Sequence, residues 1–327
     1  ITFLSRQNID VGTFEIKNNK SSKIKNSESS GWKARLTETT VGLFSHAPDP
    51  LEETFQYPDD PGLFGPESIT WKIMGDVSSF IGGIRALLIQ AAHPEVAAGV
   101  ANHSTYRDDP LGRLSRTASY VTATAFGAMP EVEKSIKMVS SAHRPVVGTS
   151  SRGEKYSAGN PEMAAWVHNA LIDSFLVSYQ NFGPFLLKNE EADSYVYEQT
   201  NLGNLMKASP LPENAASLSC WLSENPKVGS SKEGAEAVSF LKKPPLPFFT
   251  RIAYKILFNA AVVTMPIELR EAIGVNPKKG SKTAGNFLTK VLRYALGSSP
   301  AWAAALDRSG TKRPNGIRFR NTSGVTR

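Results

Sequence analysis

The sequence contains very little cysteine and no long hydrophobic run. Cys220 is the single cysteine among 327 residues, which excludes a disulfide framework within the chain and a cysteine-rich zinc site. The best candidate for a membrane span, residues 252–265, is too short, contains Lys255 and is followed by Pro266. We therefore expect no transmembrane segment.

The chain also lacks a concentration of charge in one stripe. Lysine and arginine exceed aspartate and glutamate by 37 to 30, which gives a net charge of +7 and a pI near 9.3. The excess is spread over residues 17–25, residues 278–282 and the C-terminal tail, whereas nucleic-acid binders cluster it with aromatic residues. We expect no nucleic-acid partner and interpret these segments as solvated, able to contact acidic surfaces.

The first residues of the sequence show no secretory signal, because they lack an apolar core. This favours a cytoplasmic location, although the sequence does not begin with methionine and a targeting segment therefore stays open. Composition divides the chain into a flexible N-terminal arm and proline-rich lead-in (1–60), a helical domain (61–306) and a basic tail (307–327). An apolar content of 40% is enough for a sizeable core.

Several motifs of known chemistry are missing from the sequence. No Glu-x-x-His occurs, so a di-iron carboxylate bundle is excluded. His-Glu-x-x-His, Gly-x-Ser-x-Gly, a P-loop and Gly-x-Gly-x-x-Gly are also absent, which argues against zinc proteases, α/β-hydrolases and the common nucleotide-binding folds.

Helical periodicity dominates what is present. Apolar residues recur at spacings of three and four from Ser68 onwards, and no convincing strand pattern or internal repeat interrupts them. The sequence predicts an all-α fold, a single domain of many helices.

The clearest helix spans residues 160–183. Asn160 and Pro161 suit its first turn, and Gly183 followed by Pro184 ends it. Leu171 and Phe175 belong to its apolar face, and His168 lies on or beside that face. The residues alone favour a hydrogen-bonded core histidine over a ligand to a metal or cofactor, because lone core histidines are common.

Two further features have both a structural and a functional interpretation. Gly82 and Gly83 interrupt an apolar helical pattern, where glycine costs about 1 kcal/mol relative to alanine; they serve either close helix packing or space for a flat cofactor. Arg113, Arg116 and Thr117 occur at i, i+3 and i+4, so they are expected to share one helix face. That face is either solvated or directed at an anionic partner.

Four stretches of residues 60–185 together resemble one oxygenase family, which includes the rubber-cleaving latex clearing protein and the MpaB-type oxygenases. They are Trp71-Lys-Ile-Met-Gly-Asp, Gln90-Ala-Ala-His-Pro-Glu-Val-Ala-Ala-Gly-Val, Tyr106-Arg-Asp-Asp-Pro-Leu-Gly-Arg-Leu-Ser-Arg-Thr and Trp166-Val-His-Asn-Ala-Leu-Ile-Asp-Ser-Phe. The region that contains them, residues 60–185, makes up a little over a third of the chain.

The resemblance implies a globin-like core that holds one b-type haem. His168 is then the iron ligand, through Nε2, with Gly82, Gly83, Leu171 and Phe175 beside the cofactor. Arg113, Arg116 and Thr117 correspond to the catalytic residues on the opposite side of the haem. The relatives have an iron-capping lysine where this chain has Arg116, and a guanidinium cannot act as a neutral ligand.

The function that the resemblance implies is O2-dependent oxidation of a hydrophobic, unsaturated, isoprenoid-like substrate. The alternatives are a helical haem protein without oxygenase turnover and a basic helical binding module without a cofactor. The sequence leaves the oligomeric state open.

Overall fold

The computed structural model describes residues 31–319. Within this range the chain forms fourteen α-helices, one 3-10 helix and one two-stranded hairpin. Their bounds are α1 Trp32–Phe44, the 3-10 helix Thr54–Gln56, α2 Ile69–Met74, α3 Ser79–Ala91, α4 Pro94–His103, α5 Pro110–Phe126, α6 Met129–His143, β1 Val147–Thr149, β2 Lys155–Ser157, α7 Pro161–Phe182, α8 Asn189–Leu205, α9 Ala215–Ser223, α10 Lys232–Lys242, α11 Phe248–Val263, α12 Ile267–Ala272, α13 Ser281–Leu296 and α14 Pro300–Arg308.

The prediction of a mostly helical single domain is confirmed, and the prediction that no strand would form is wrong. β1 and β2 pair antiparallel, with Gly148 opposite Tyr156. Tyr156 is buried and accepts a hydrogen bond from the Asn102 amide on α4. The hairpin is too short for period-two alternation to reveal it. A globin-like arrangement stays a prediction.

Helices α3 and α7 form the centre of the main hydrophobic core, against which α8, α9, α11 and α13 pack. Arg85 on α3 and Asp173 on α7 are both buried and form an ion pair of 2.6 Å. Arg85 also donates to the Ser174 hydroxyl and to the Thr264 carbonyl at the end of α11. These charge-assisted bonds fix α7 against its neighbours.

A second, smaller core joins the two ends of the described chain. Trp71, Phe126 and Trp302 pack together there. Arg308 is buried and donates hydrogen bonds to the Thr54 hydroxyl and the Phe126 carbonyl. Residues of the predicted lead-in and tail therefore belong to the folded body, and the predicted mobile arm of residues 17–30 lies outside the described residues.

Candidate functional site

One stripe of α7 borders an internal cavity. Asn160 caps this helix by accepting from two backbone amides of its first turn, and Pro161 occupies its first position. The spacing of three and four residues then places His168, Leu171 and Phe175 on the same side. The cavity has a volume of about 40 Å³. Its wall is completed by Phe64, Met74, Tyr120, Val121, Thr124, Ala125, Ile172, Tyr195, Gln199 and Leu202.

His168 is 6% exposed and makes one hydrogen bond among the described residues, from Nε2 to the Gln199 carbonyl oxygen at 3.0 Å. Because a carbonyl only accepts, Nε2 carries the hydrogen and Nδ1 carries the lone pair. In this conformation Nε2 is engaged by the carbonyl and Nδ1 makes no hydrogen bond among the described residues, and His168 as an iron ligand through Nε2 stays a prediction. Burial lowers the pKa of His168 to about 4, so the ring is neutral at pH 7.

The carbonyl that orients His168 belongs to a helix held by further hydrogen bonds. The Gln199 amide donates to the Thr70 hydroxyl at 3.0 Å, and that hydroxyl donates to the Glu198 carboxylate at 2.7 Å. The same carboxylate accepts from the backbone amides of Ile69 and Thr70 at the start of α2. An anion at a helix N-terminus is favourable, so α2 and α8 together form a fixed support for the imidazole.

Tyr195 is a cavity residue that the sequence did not single out for function. Its side chain is fully buried, and its hydroxyl has no hydrogen-bond partner among the described residues. Burial raises the pKa of its phenol well above the usual value. Tyr195, Gln199 and Leu202 recur at spacings of four and three on α8, which is the pattern that could have indicated a second wall facing His168.

Arg113 and Thr117 lie together on α5. The guanidinium Nη1 of Arg113 donates to the Thr117 hydroxyl, and Nε donates to the Ser104 hydroxyl at 3.2 Å. Desolvation, with a contribution from Arg116, lowers the pKa of Arg113. Neither residue lines the cavity. Thr117 lies one helical turn, about 6 Å, before the cavity residue Val121.

Arg116 bonds to different partners from Arg113 and Thr117. Its guanidinium donates to the Asp109 carboxylate at 3.1 Å and to the Thr105 hydroxyl at 3.0 Å, and its side chain is 51% exposed. The structure therefore brings two of the three predicted residues together and places the third at the solvent edge of α5.

The two predicted glycines differ in their surroundings. A Cβ on Gly82 would lie 2.6 Å from Cδ1 and 3.2 Å from Cα of Phe175, so the space beside Gly82 is filled by α7. A Cβ on Gly83 would meet nothing within 4 Å. Gly82 thus has the packing role that the sequence offered as one of two interpretations, and Gly83 borders open space.

His93 lies in another buried cluster and is not among the residues that line the cavity. Its Nδ1 is 3.4 Å from the Glu95 carboxylate, and its ring centroid is 5.3 Å from that of Trp166. Glu95 accepts from Arg152 at 2.9 Å and from the Ser150 hydroxyl at 3.1 Å. These contacts fasten the β-hairpin to α4.

Among protein-family models, the one described as ER-bound oxygenase mpaB/B'/rubber oxygenase, catalytic domain, matches residues 71–294. The chain belongs to this oxygenase family. The matched range runs from α2 to α13 and contains every predicted site residue. No curated protein and no solved structure is similar enough to count as a match.

Family membership makes the chain an oxidoreductase of the oxygenase type. Among the helices of residues 31–319, none combines the length and apolar character that crossing a membrane requires. The same residues contain no group of three or more histidine, cysteine, aspartate or glutamate side chains that could hold a metal ion.

Proposed function

We propose that the chain is a haem b-dependent oxygenase that uses O2 to oxidise a hydrophobic, unsaturated, isoprenoid-like substrate. The observation that carries the proposal is His168, a neutral imidazole that lines an apolar cavity and whose Nδ1 makes no hydrogen bond among the described residues. Family membership supplies the oxygenase class, and the residues around the cavity argue for the cofactor.

The donor set fits a haem. A protein-only metal site needs several side-chain ligands, and the described residues supply no such group. A single neutral histidine would suffice as the protein's ligand to a haem. Leu171 and Phe175 offer apolar contact to such a ring, Gly83 borders open space, and the unpartnered Tyr195 hydroxyl offers a hydrogen bond within the cavity.

The cavity beside His168 is smaller than a haem requires. Pockets for ligands of this size measure about 300–1,000 Å³, whereas the cavity beside His168 has about 40 Å³. The side chains of α2, α5 and α8 that close the cavity must therefore move apart to admit a macrocycle. Gly82 is in direct contact with Phe175, so its role is to set the distance between α3 and α7.

When bound, the haem supplies the O2 chemistry. The chain's own residues bind, orient and exclude water. His168 would hold the haem iron, and the Gln199 carbonyl orients its ring. Arg113 and Thr117 provide a cation and a hydroxyl one turn from the cavity, suited to developing negative charge or to a propionate, and Arg116 adds positive charge at the outer edge.

Turnover of an unsaturated chain tests this function. Protein loaded with haemin should convert squalene to oxygen-containing products under air and not under argon, as mass spectrometry would show. Because Arg113 is the partly buried cation of the predicted set, Arg113→Gln should lower the rate by roughly 100-fold. Arg107→Gln, which removes an exposed arginine paired with Glu236, should leave the rate within about threefold.

Absence of product with fully loaded protein would contradict oxygenase turnover on this substrate class and leave a haem protein of the carrier type. The small cavity favours the other alternative, a helical module without a cofactor. A colourless protein that takes up no haemin would support that module.

A further inference from the structure

The surface formed by α11 and α13 differs from the rest of the chain in charge. Residues 237–306 contain ten lysines and arginines against two glutamates, a balance of +8, whereas the whole chain has +7. The remainder of the sequence is therefore close to neutral. Both acids, Glu268 and Glu271, lie in or beside α12, and α11 and α13 contain none.

The two helices pack side by side against the same core. A Cβ on Gly285 of α13 would lie 2.7 Å from the Cβ of Ala260 on α11, and Leu257 and Leu292 both belong to the main hydrophobic cluster. Their opposite sides therefore face outwards from the same part of the molecule. We name the exposed residues of these sides the α11–α13 face. It consists of Arg251, Ile252, Lys255, Phe287, Lys290 and Tyr294.

Large apolar side chains on this face are exposed between the cations. Phe287 is 70% exposed, Tyr294 is 58% exposed and Ile252 is 49% exposed. Helix α1 continues the face, since the Trp32 ring lies 6.5 Å from the Tyr294 ring and the Lys33 ammonium lies 3.7 Å from its centroid. Glu38 on the same helix adds one exposed acid.

We propose that the α11–α13 face docks on the surface of an anionic lipid bilayer. Exposed aromatic and aliphatic side chains interspersed with lysine and arginine are the pattern of interfacial helices, whose apolar tips enter the boundary between headgroups and acyl chains. The cations meet the anionic headgroups, and no acidic residue of either helix opposes them. Ile252 and Phe287 favour a bilayer over a nucleic-acid backbone, which has no apolar layer to receive them. The proposal does not depend on the cofactor.

Vesicle sedimentation tests the proposal on the full chain. The protein should sediment with phosphatidylcholine vesicles that contain about 30% phosphatidylglycerol and not with pure phosphatidylcholine. Raising the salt from about 0.05 M to about 0.5 M should release it, because screening weakens exposed charge interactions. Lys255→Gln/Lys290→Gln/Phe287→Ser should lower the partition coefficient by at least about 25-fold.

Helix α6 provides the matched control. Lys134, Lys137 and Met138 are exposed there, so Lys134→Gln/Lys137→Gln/Met138→Ser makes the same changes of charge and apolar area elsewhere. This variant should bind anionic vesicles within about twofold of the unchanged chain. If the triple variant of the α11–α13 face has a lowered melting temperature, the double variant Lys255→Gln/Lys290→Gln replaces it in the test, with an expected loss of about 25-fold.

Four results would overturn the proposal. The first is no sedimentation of the unchanged chain with anionic vesicles, and the second is equal loss in the α6 control. The third is a dimer in solution that the triple variant converts to a monomer, which would assign the face to a second copy of the chain. Equally tight, salt-sensitive binding to duplex DNA would also contradict selectivity for lipid.

Discussion

At the scale of single residues, burial keeps the imidazoles of His168 and His93 neutral. His168 and His93 each have a pKa lowered to about 4, and desolvation is the largest cause in both. His168 faces one backbone carbonyl and a cavity. His93 faces Glu95, Arg152, Lys227 and the Trp166 ring. The first environment suits a neutral ligand, and the second is a structural anchor for the hairpin.

The His93 environment predicts a loss of stability in mild acid. The folded chain keeps this ring neutral down to a pKa of about 4, whereas the unfolded chain takes up a proton near pH 6.5. The contribution is therefore complete above pH 6.5 and is lost as the pH falls towards 4. Between pH 7 and pH 5 the free energy of unfolding should fall by about 2 kcal/mol from this residue alone.

Urea unfolding of cofactor-free protein at both pH values measures this loss. His93→Gln should remove about 2 kcal/mol of the pH dependence, whereas His46→Gln, at an exposed position, should leave it intact. An unchanged pH dependence in His93→Gln would show that His93 is not held neutral.

At the scale of secondary-structure elements, the crossing of α3 and α7 positions the site. Gly82 allows the Phe175 side chain and backbone to approach α3 closely. The buried Arg85–Asp173 pair fixes the same two helices one turn further along α3. A buried pair of this kind contributes more to a unique arrangement than to net stability, since desolvation offsets much of its attraction.

Gly82 and Gly83 are adjacent, so alanine substitution of Gly83 is a control for the same substitution of Gly82 at the α3–α7 crossing. Gly82→Ala places a methyl group against the Phe175 ring and backbone, so the free energy of unfolding should fall by about 1–3 kcal/mol. Gly83→Ala meets nothing within 4 Å and should raise it by up to about 1 kcal/mol, because alanine favours the helix. Urea unfolding at pH 7 distinguishes the two, and equal stability of both variants would contradict the packing role of Gly82.

At the scale of the whole molecule, the sequence predicts helices but does not predict which helices pack against each other. The predicted helix at residues 160–183 matches α7, Pro161–Phe182, because its cap, proline and terminal glycine act locally. The stripe of His168, Leu171 and Phe175 follows from the same helical period.

Tyr195 and Gln199 were not predicted as site residues, because their proximity to His168 depends on how α8 packs against α7. The separation of Arg116 from Arg113 depends on Asp109 and Thr105, which precede the helix body. The folding of Arg308 into the body of the molecule depends on contacts with residues 54, 60 and 126. Such contacts between distant parts of the chain leave no pattern in the local sequence, so they could not be predicted from it.

The visible spectrum of haemin-treated protein, oxidised and reduced, with and without CO, tests the central claim most directly. The unchanged chain should show a Soret band that shifts with CO and should bind about one haem per chain through one axial histidine. His93→Gln should keep that band, and His168→Ala should lose it while its far-ultraviolet circular dichroism stays helical. Full haem occupancy in His168→Ala, or no haem uptake by the unchanged chain, would contradict the assignment of His168 as the iron ligand.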